Sequence, residues 1–563
     1  MREDRGFLPV NLSDLNRGGT RRADVIIVTA DAYVDHPSFG AALIGRFLES
    51  LGLVTGIISR PDPSSPEDFR ALGRPRLFFG VTAGNLDSMV SLYTAQRKIR
   101  SDDPYAPESC KVKRPYLPTI VYTNRIREAF PGVPVILGGV EASLRRVSHY
   151  DYYQDRVRRS VLLDSKADML VYGNAEGALE EITRRLSEGV PLGEIRDVRG
   201  TAVRVNASES REKYSGCLEL PPHEEVSRDH GKFSLMTKTL YENMNPFTAR
   251  RIFQGADRMG VLINPPSFPL SSEKLDKLYS AGFRRREHPL CGRVEALETV
   301  RGSVTSHRGC AGGCRFCSIF LHQGKTVQSR SRGSVLSEVE TLSKMGISTV
   351  TDIGGPSANM YGLRCGDGEA LRKCRRVSCL YPGICPVLDT SPGEYASLLE
   401  AAGRVPGVKH VFVSTGIRHD LALNQPGLIK RLCRGHIPGH LSTAPEHCRK
   451  EVLDLMGKPG IAAYERFIRE FRKESSGAGR EQYAMPYFIV GHPGADGESE
   501  KKLASYVRKN RIRMRQIQEF YPTPMTASTS MYYTGLDPFT GRKVSVCRKG
   551  SVKKKWKRGV LNG

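Results

Sequence analysis

Short apolar runs alternate with stretches of helical spacing along most of the chain. Residues 23–30 are rich in Val and Ile, as a strand buried on both faces should be. Ala42, Ile44, Leu48 and Leu51 then recur at helical intervals across 39–51, and Gly52 stops the pattern. Further strands are predicted at 54–58, 76–81, 133–139 and 168–173, the last leading into a helix at 176–186. This alternation predicts a doubly wound α/β domain over 1–200. Residues 201–295 show no clear period and read as a linking region.

A second series begins near 303. A short strand at 304–306 runs into a cysteine-rich loop. A helix follows at 335–345, with Leu336, Val339 and Leu342 on one face, then a strand at 347–353. Ser391, Pro392 and Glu394 form a capping-box pattern with proline at the first helical position. That helix runs to 402, followed by strands at 408–414, 440–444, 485–490 and 513–520, separated by helices at 428–433, 461–473 and 498–509. Six strands and five helices predict a partial (β/α)6 barrel over 296–520, with an insertion at 357–390. Function is expected at the C-terminal ends of its strands. In the extension 521–563, residues 542–558 carry nine Lys/Arg and no Asp or Glu, and read as a mobile tail holding the only tryptophan, Trp556.

Composition narrows the class. At 563 residues the chain exceeds a single core, and 39% hydrophobic with 26% charged residues is a globular profile. No apolar run is long enough to cross a bilayer, and residues 1–10 lack a secretory apolar core, so a cytoplasmic protein without a membrane partner is expected. Of 13 cysteines, seven fall between Cys310 and Cys385. A disulfide framework is not expected in a reducing compartment, so metal is the natural reason for the crowding.

Cys310, Cys314 and Cys317 follow a C-x3-C-x2-C spacing, with Gly309, Gly312 and Gly313 allowing a tight turn around a compact cluster. Three thiolates on a four-iron cluster leave one iron open to a ligand. Zinc with His307 or His322 as a fourth ligand is the competing reading; a bacterial ferredoxin loop would be spaced C-x2-C-x2-C. A second group, Cys365, Cys374, Cys379 and Cys385, has the ligand number for an auxiliary iron–sulfur cluster or a structural zinc.

With Phe316 just before its last cysteine, the 310–317 loop resembles the signature of the radical SAM superfamily. That resemblance implies a [4Fe-4S] cluster on Cys310, Cys314 and Cys317, with S-adenosylmethionine (SAM) on the open iron. It further implies an external electron donor and reductive cleavage to a 5′-deoxyadenosyl radical that abstracts hydrogen from a substrate. Phe316 would lie against the adenine. Gly354 and Gly355 end a strand where the superfamily commonly shows Gly-Gly-Glu, with Pro356 here in place of the acid. Ser414, Glu446 and Gly491 end other strands on the same rim; Glu446 is a candidate for the ribose hydroxyls or the methionyl amine, with a salt bridge as the plainer alternative. The chain is most similar to the YgiQ-like family of radical SAM proteins, through Asp31-Ala-Tyr-Val-Asp-His-Pro-Ser-Phe-Gly40, Gly138-Gly-Val-Glu-Ala-Ser143, Asp352-Ile-Gly-Gly-Pro-Ser-Ala-Asn-Met-Tyr361, Ala444-Pro-Glu-His447 and Gly491-His-Pro-Gly494. The N-terminal section resembles the cobalamin-binding-like domain that often precedes such a barrel. Around His36, however, the Asp-x-His-x-x-Gly register is missing, which argues against cobalamin; Asp35 and His36 then become candidates to face the active site.

The formal charge of +25 and the basic tail allow RNA contacts, with Trp556 able to stack on a base. The rival from another class is therefore a non-catalytic, zinc-stapled nucleic-acid-binding protein.

Overall fold

The computed structural model describes residues 6–207, 216–390, 393–512, 514 and 517–561. The chain forms two compact units: Met1–Lys232, Asn243–Leu270 and Lys277–Arg301 in the first, and Phe233–Glu242, Ser271–Asp276 and Gly302–Gly563 in the second.

The apolar runs of the first unit become a parallel sheet. Its strands lie in the order Thr55–Ser59, Val25–Thr29, Phe78–Thr82, Val135–Gly138, Met169–Val171. In sequence terms this is 2-1-3-4-5, a doubly wound order. Val25–Thr29 is buried at every position, as a central parallel strand covered on both faces must be. Helices Gly40–Ser50 and Glu176–Ser187 supply Ala42, Leu48, Leu179 and Ile182 to its core.

Within residues 201–295, read from sequence as a linking region, four strands between 201 and 263 extend this sheet. Thr201–Asn206 pairs antiparallel with Met169–Val171, followed by Met259–Ile263, Ile252–Ala256 and Leu218–Leu220. Ile252–Ala256 is only alternately buried, and each of these two hairpin strands contains a glycine, so the apolar signal is diluted.

In the second unit six short strands run parallel in chain order. Ser303–Thr305 pairs with Asp352–Gly354, and the adjoining Thr349–Val350 pairs with His410–Val411. A bridge between Ile417 and Thr443 reaches the fourth strand, His440–Glu446, which pairs with Tyr483–Val490 and that with Gln518–Glu519. Helices Arg332–Lys344, Gly393–Ala402, Leu428–Gly435, Ile461–Gly477 and Gly497–Lys509 separate them, giving the expected partial (β/α)6 barrel. Val335, Val339 and Leu342 pack with Val350, Ile353 and Leu398 in its core. The strand expected at 408–414 shrinks to His410–Val411, and beyond it the amides of Ser414 and Thr415 donate to the Asp352 carboxylate, at 2.8 and 2.9 Å. Ser391 and Pro392 of the capping-box pattern, and Arg513, Arg515 and Gln516 of the last expected strand, lie outside the described residues.

The basic C-terminal stretch is not a mobile tail. Gly550–Leu561 is a helix whose Val560 is buried with Phe488, Val490, Leu503 and Val507. Val552, Trp556 and Val560 stand four residues apart, an apolar stripe beneath a basic face. Among the described residues no helix is long and apolar enough to cross a membrane.

Candidate functional site

The strand Ser303–Thr305 delivers the chain to the mouth of the barrel, and His307–Arg308 pairs back onto Gln328–Ser329 to hold the following hairpin. Gly309 has φ +84°, and a Cβ there would lie 2.0 Å from the Thr326 carbonyl oxygen; only glycine passes. The Cys310 amide donates to Gly324 O at 3.0 Å and the Cys317 amide to Cys314 O at 3.1 Å, which coils 310–317 into a tight loop. The Cys310 and Cys317 thiols sense each other or Cys314 electrostatically. Burial raises both, Cys317 to about 12. Each sulfur meets an N–H donor: the Gly312 amide at Cys310, the Ile319 and Phe320 amides at Cys317, and Arg418 Nη1, 3.3 Å from Cys314 Sγ. Such donors favour the thiolate and tune a bound cluster.

Arg418 is a fixed charge. Its Nε and Nη2 donate to the two Asp420 carboxylate oxygens at 2.9 and 2.6 Å, a bidentate fork. Its backbone N donates to Asn359 Oδ1 at 2.9 Å, while Asn359 Nδ2 returns a bond to Arg418 O. Despite burial, the Asp420 carboxyl is held well below its usual range by Arg418. Glu446 ends the fourth strand in the left-handed region, at φ +68°, a strained conformation of the kind that clusters at functional sites. Burial raises its pKa, and its partner is the buried ammonium of Lys458, 3.5 Å away. The salt-bridge alternative is therefore present, but buried rather than on the surface. Arg418, Asp420, Asn359 and Lys458 were not singled out in the sequence.

The remaining candidates divide. A Cβ on Gly355 would meet His307 O at 2.5 Å, and one on Gly354 would meet Asp352 Oδ2 at 2.6 Å, so both glycines permit a close crossing of chains. The Gly354 carbonyl accepts from Ser306 N at 2.8 Å and Ser306 Oγ at 3.2 Å, which engages both lone pairs. Ser414 is exposed, and its hydroxyl donates to Thr351 O at 2.7 Å. At Gly491 a Cβ would meet Lys553 Cδ at 2.7 Å, and its amide donates to Glu500 Oε1; the C-terminal helix covers this strand end. Phe316 is half-buried against Val452, Leu453, Met456 and Ala495, with the His492 ring nearly perpendicular to it, centroids 6.2 Å apart. The extension beyond 520 builds the wall here: Ser528 N donates to Arg315 O, and the Arg315 guanidinium lies 4.4 Å over Phe539.

His307 does not suit the zinc reading. Its Nε2 bonds to Ser357 O and its Nδ1 to Ser306 Oγ, and burial lowers its pKa to about 4. Among the described residues no three His, Cys, Asp or Glu side chains converge tightly enough to hold a single metal ion. A cluster distributes its ligands over several irons, so its thiolates need not converge in that way.

The second cysteine group folds against the first. Cys379 N donates to Ala311 O at 3.0 Å and Ser378 Oγ to Gly312 O at 2.7 Å. Cys310, Ala311, Cys379 and Leu380 belong to one apolar cluster. Burial pushes the Cys379 thiol up to about 11 against the nearby Lys325 ammonium, with Cys374 and Cys385 as electrostatic neighbours. The Cys365 thiol donates to Asp367 O at 3.2 Å.

In the first unit, the loop after Val25–Thr29 is closed. Asp35 is in a fully buried ion pair with Arg46 at 2.5 Å and also accepts from Arg284 N. Ser38 N donates to His36 Nδ1 at 3.0 Å, and Arg285 Nη1 stands 2.8 Å from Nε2. As arranged, neither His36 nitrogen is available to a cobalt ion. The switch point of the sheet, where such folds bind ligands, is filled by Arg114, which bonds Asp31 at 2.7 Å and Ala83 O at 2.6 Å.

Comparison with known proteins follows this division. The family model for the radical SAM N-terminal region matches residues 7–303, the radical SAM superfamily model matches 304–507, and a domain of unknown function, DUF3362, matches 515–561. The UPF0313 protein GSU2873 of Geobacter sulfurreducens is 47% identical over 558 residues, covering 99% of this chain and 92% of that protein. The UPF0313 protein YgiQ of Escherichia coli K12 is 43% identical, over 94% of this chain and 80% of its own length. Among solved structures, the radical S-adenosylmethionine methyltransferase TsrM from Kitasatospora setae, with cobalamin and a [4Fe-4S] cluster bound, shares the fold. The TM-score is 0.50 at 14% identity, over 90% of this chain and 77% of that one.

Proposed function

The chain belongs to the UPF0313 (YgiQ) family of the radical SAM superfamily, and from that premise we propose that it is a radical SAM enzyme whose [4Fe-4S] cluster is held by Cys310, Cys314 and Cys317. A cluster held there, reduced by an external one-electron donor, would supply the electron for cleaving SAM to methionine and a 5′-deoxyadenosyl radical able to abstract hydrogen from a substrate. One observation carries the reading: all three sulfurs of a glycine-shaped hairpin at a barrel mouth face N–H donors, one of them on a buried arginine.

The chain's own groups have distinct parts. Gly309 and the Gly324 carbonyl hold the hairpin closed. Asp420 and Asn359 fix Arg418, which keeps a positive charge on Cys314. Phe316 offers an apolar face for the adenine. Glu446, with Lys458 behind it, offers a carboxylate to the methionyl ammonium or the ribose hydroxyls. Gly354 and Gly491 shape the rim without contacting SAM, since Ser306 and Lys553 occupy them.

Anaerobic protein reconstituted with iron and sulfide, then given dithionite and SAM, should release 5′-deoxyadenosine. Cys314→Ala should drop the product to background and lower the iron–sulfur absorbance. Zinc without sulfide in the native protein would favour a metal-stapled binding protein instead. Normal cluster content without 5′-deoxyadenosine would defeat the enzymatic reading.

A further inference from the structure

Lys325 is a buried ammonium, 5% exposed, in the segment just after the 310–317 loop. Its Nζ donates to Cys374 Sγ at 3.2 Å and to Arg376 O at 2.7 Å. Among the described residues no carboxylate pairs with it. Burying an ammonium costs several kcal/mol unless an opposite charge is supplied. The nearby Arg376 does not supply one; its guanidinium donates to the carbonyls of Ser378 and Gly383. The anionic groups that Lys325 does meet are thiols, Cys374 directly and Cys379 nearby. Cys374 and Cys385 are each electrostatic neighbours of Cys379, and the Cys385 amide closes the turn on Cys379 O at 2.8 Å.

The arrangement repeats that of the first loop. There Arg418 donates to Cys314 Sγ; here Lys325 donates to Cys374 Sγ. In both places the thiols are neighbours without converging on a single-ion geometry, which for zinc needs four donors within about 2.3 Å of the metal. An anionic cluster meets both conditions: it spreads its ligands over several irons instead of one ion, and it supplies the missing negative charge.

We propose that Cys374, Cys379 and Cys385 hold a second iron–sulfur cluster, with Lys325 as its buried counter-charge. Cys365 is not in the ligand set, because its thiol is turned to Asp367 O. The centre lies in the same packed patch as the first loop, through the Ala311–Cys379 and Gly312–Ser378 hydrogen bonds. The proposal does not rest on SAM cleavage, and failure of that chemistry would leave it standing.

The test uses the full chain, produced and purified without oxygen, in which Cys310, Cys314 and Cys317 are all changed to Ala. Iron, acid-labile sulfide and zinc are counted, and the dithionite-reduced protein is examined by EPR. Roughly three to four irons with matching sulfide should remain. Adding Cys379→Ala should remove them; adding Cys365→Ala should not. Zinc in place of iron, absence of metal from a chain with its normal thermal transition, or equal loss with Cys365→Ala would overturn the assignment. Should the triple variant not fold, Cys379→Ala alone decides: it should lose about half the iron of the native protein, and unchanged iron overturns the proposal.

Discussion

In the first unit three buried arginines are held by carboxylates. Arg46 lies on Asp35, Arg114 on Asp31 and Asp103, and Arg145 on Asp87 and Asp151. In the second unit the buried charges have more varied partners. Lys325 meets a thiol and a carbonyl, Lys553 lies 5.3 Å over the Tyr532 ring, and Glu500 accepts from the Gly491 amide. Arg418 meets both kinds, Asp420 on one side and Cys314 on the other. A charge whose full complement is already inside the protein holds structure. A charge facing sulfur has an interaction to offer a ligand. The contrast explains why candidate residues in both units, Asp35 and His36 in one and the cysteines in the other, lead to different assignments although both follow strands.

The widest separation between the two kinds of charge is expected from breaking a closed pair. Arg46→Met leaves Asp35 buried with neither its fork nor its counter-charge, and should cost about 3–5 kcal/mol, read as a lower midpoint in urea unfolding. Iron content in the surviving folded fraction should be unchanged. Loss of iron at full stability would show that the Asp35 loop serves the cluster after all.

A smaller effect is expected at Arg418, where structure and site overlap. Arg418→Lys keeps the charge but loses the fork on Asp420, at a cost of about 1–2 kcal/mol. It should hold the midpoint of the Cys310/Cys314/Cys317 cluster near the native value. Arg418→Gln removes a positive charge beside Cys314 and should move that midpoint to more negative potential in an EPR-monitored redox titration. Equal midpoints in all three proteins would reduce Arg418 to a partner of Asp420.

Which parts could be read in advance follows from how local each signal is. Val25–Thr29 and Tyr483–Val490 stood out because their apolar residues are consecutive or nearly so. The C-x3-C-x2-C loop lies within eight residues, so its spacing alone carries the chemistry. Arg418, by contrast, reaches Cys314 from 104 positions away, and Lys325 reaches Cys374 across 49. Single charged residues at such separations carry no local pattern; the Arg418/Asp420 spacing becomes meaningful only once Asn359 is known to hold that backbone. The sheet strands between 201 and 263 escape the apolar pattern because Arg204, Gln254, Gly255 and Gly260 interrupt their short apolar runs. The C-terminal helix was hidden by its charge. Its five basic residues, among nine across 542–558, outweigh Val552, Trp556 and Val560, whose four-residue interval is the available signal.

The smallest effect is expected at Glu500, and its sign separates an unmatched charge from a paired one. Burial pushes this carboxyl up to about 7, against an ordinary value of 4.5, and the Gly491 amide only partly offsets the shift. A carboxyl raised on folding binds more protons in the native state than in the unfolded one between those values. Its contribution therefore weakens as pH rises from about 4.5 through about 7, and is flat beyond. A paired carboxylate such as Asp420, held down on folding, acts in the opposite sense and loses its stabilisation only in acid. Glu500→Gln keeps an oxygen to accept from Gly491 and removes the titration. At pH 8 it should raise stability, with little gain at pH 4.5. A variant that loses stability at both pH values would mean that the Glu500 charge is matched in the native protein by a cation such as Lys553, and the contrast between the two units would narrow to the cysteine groups alone.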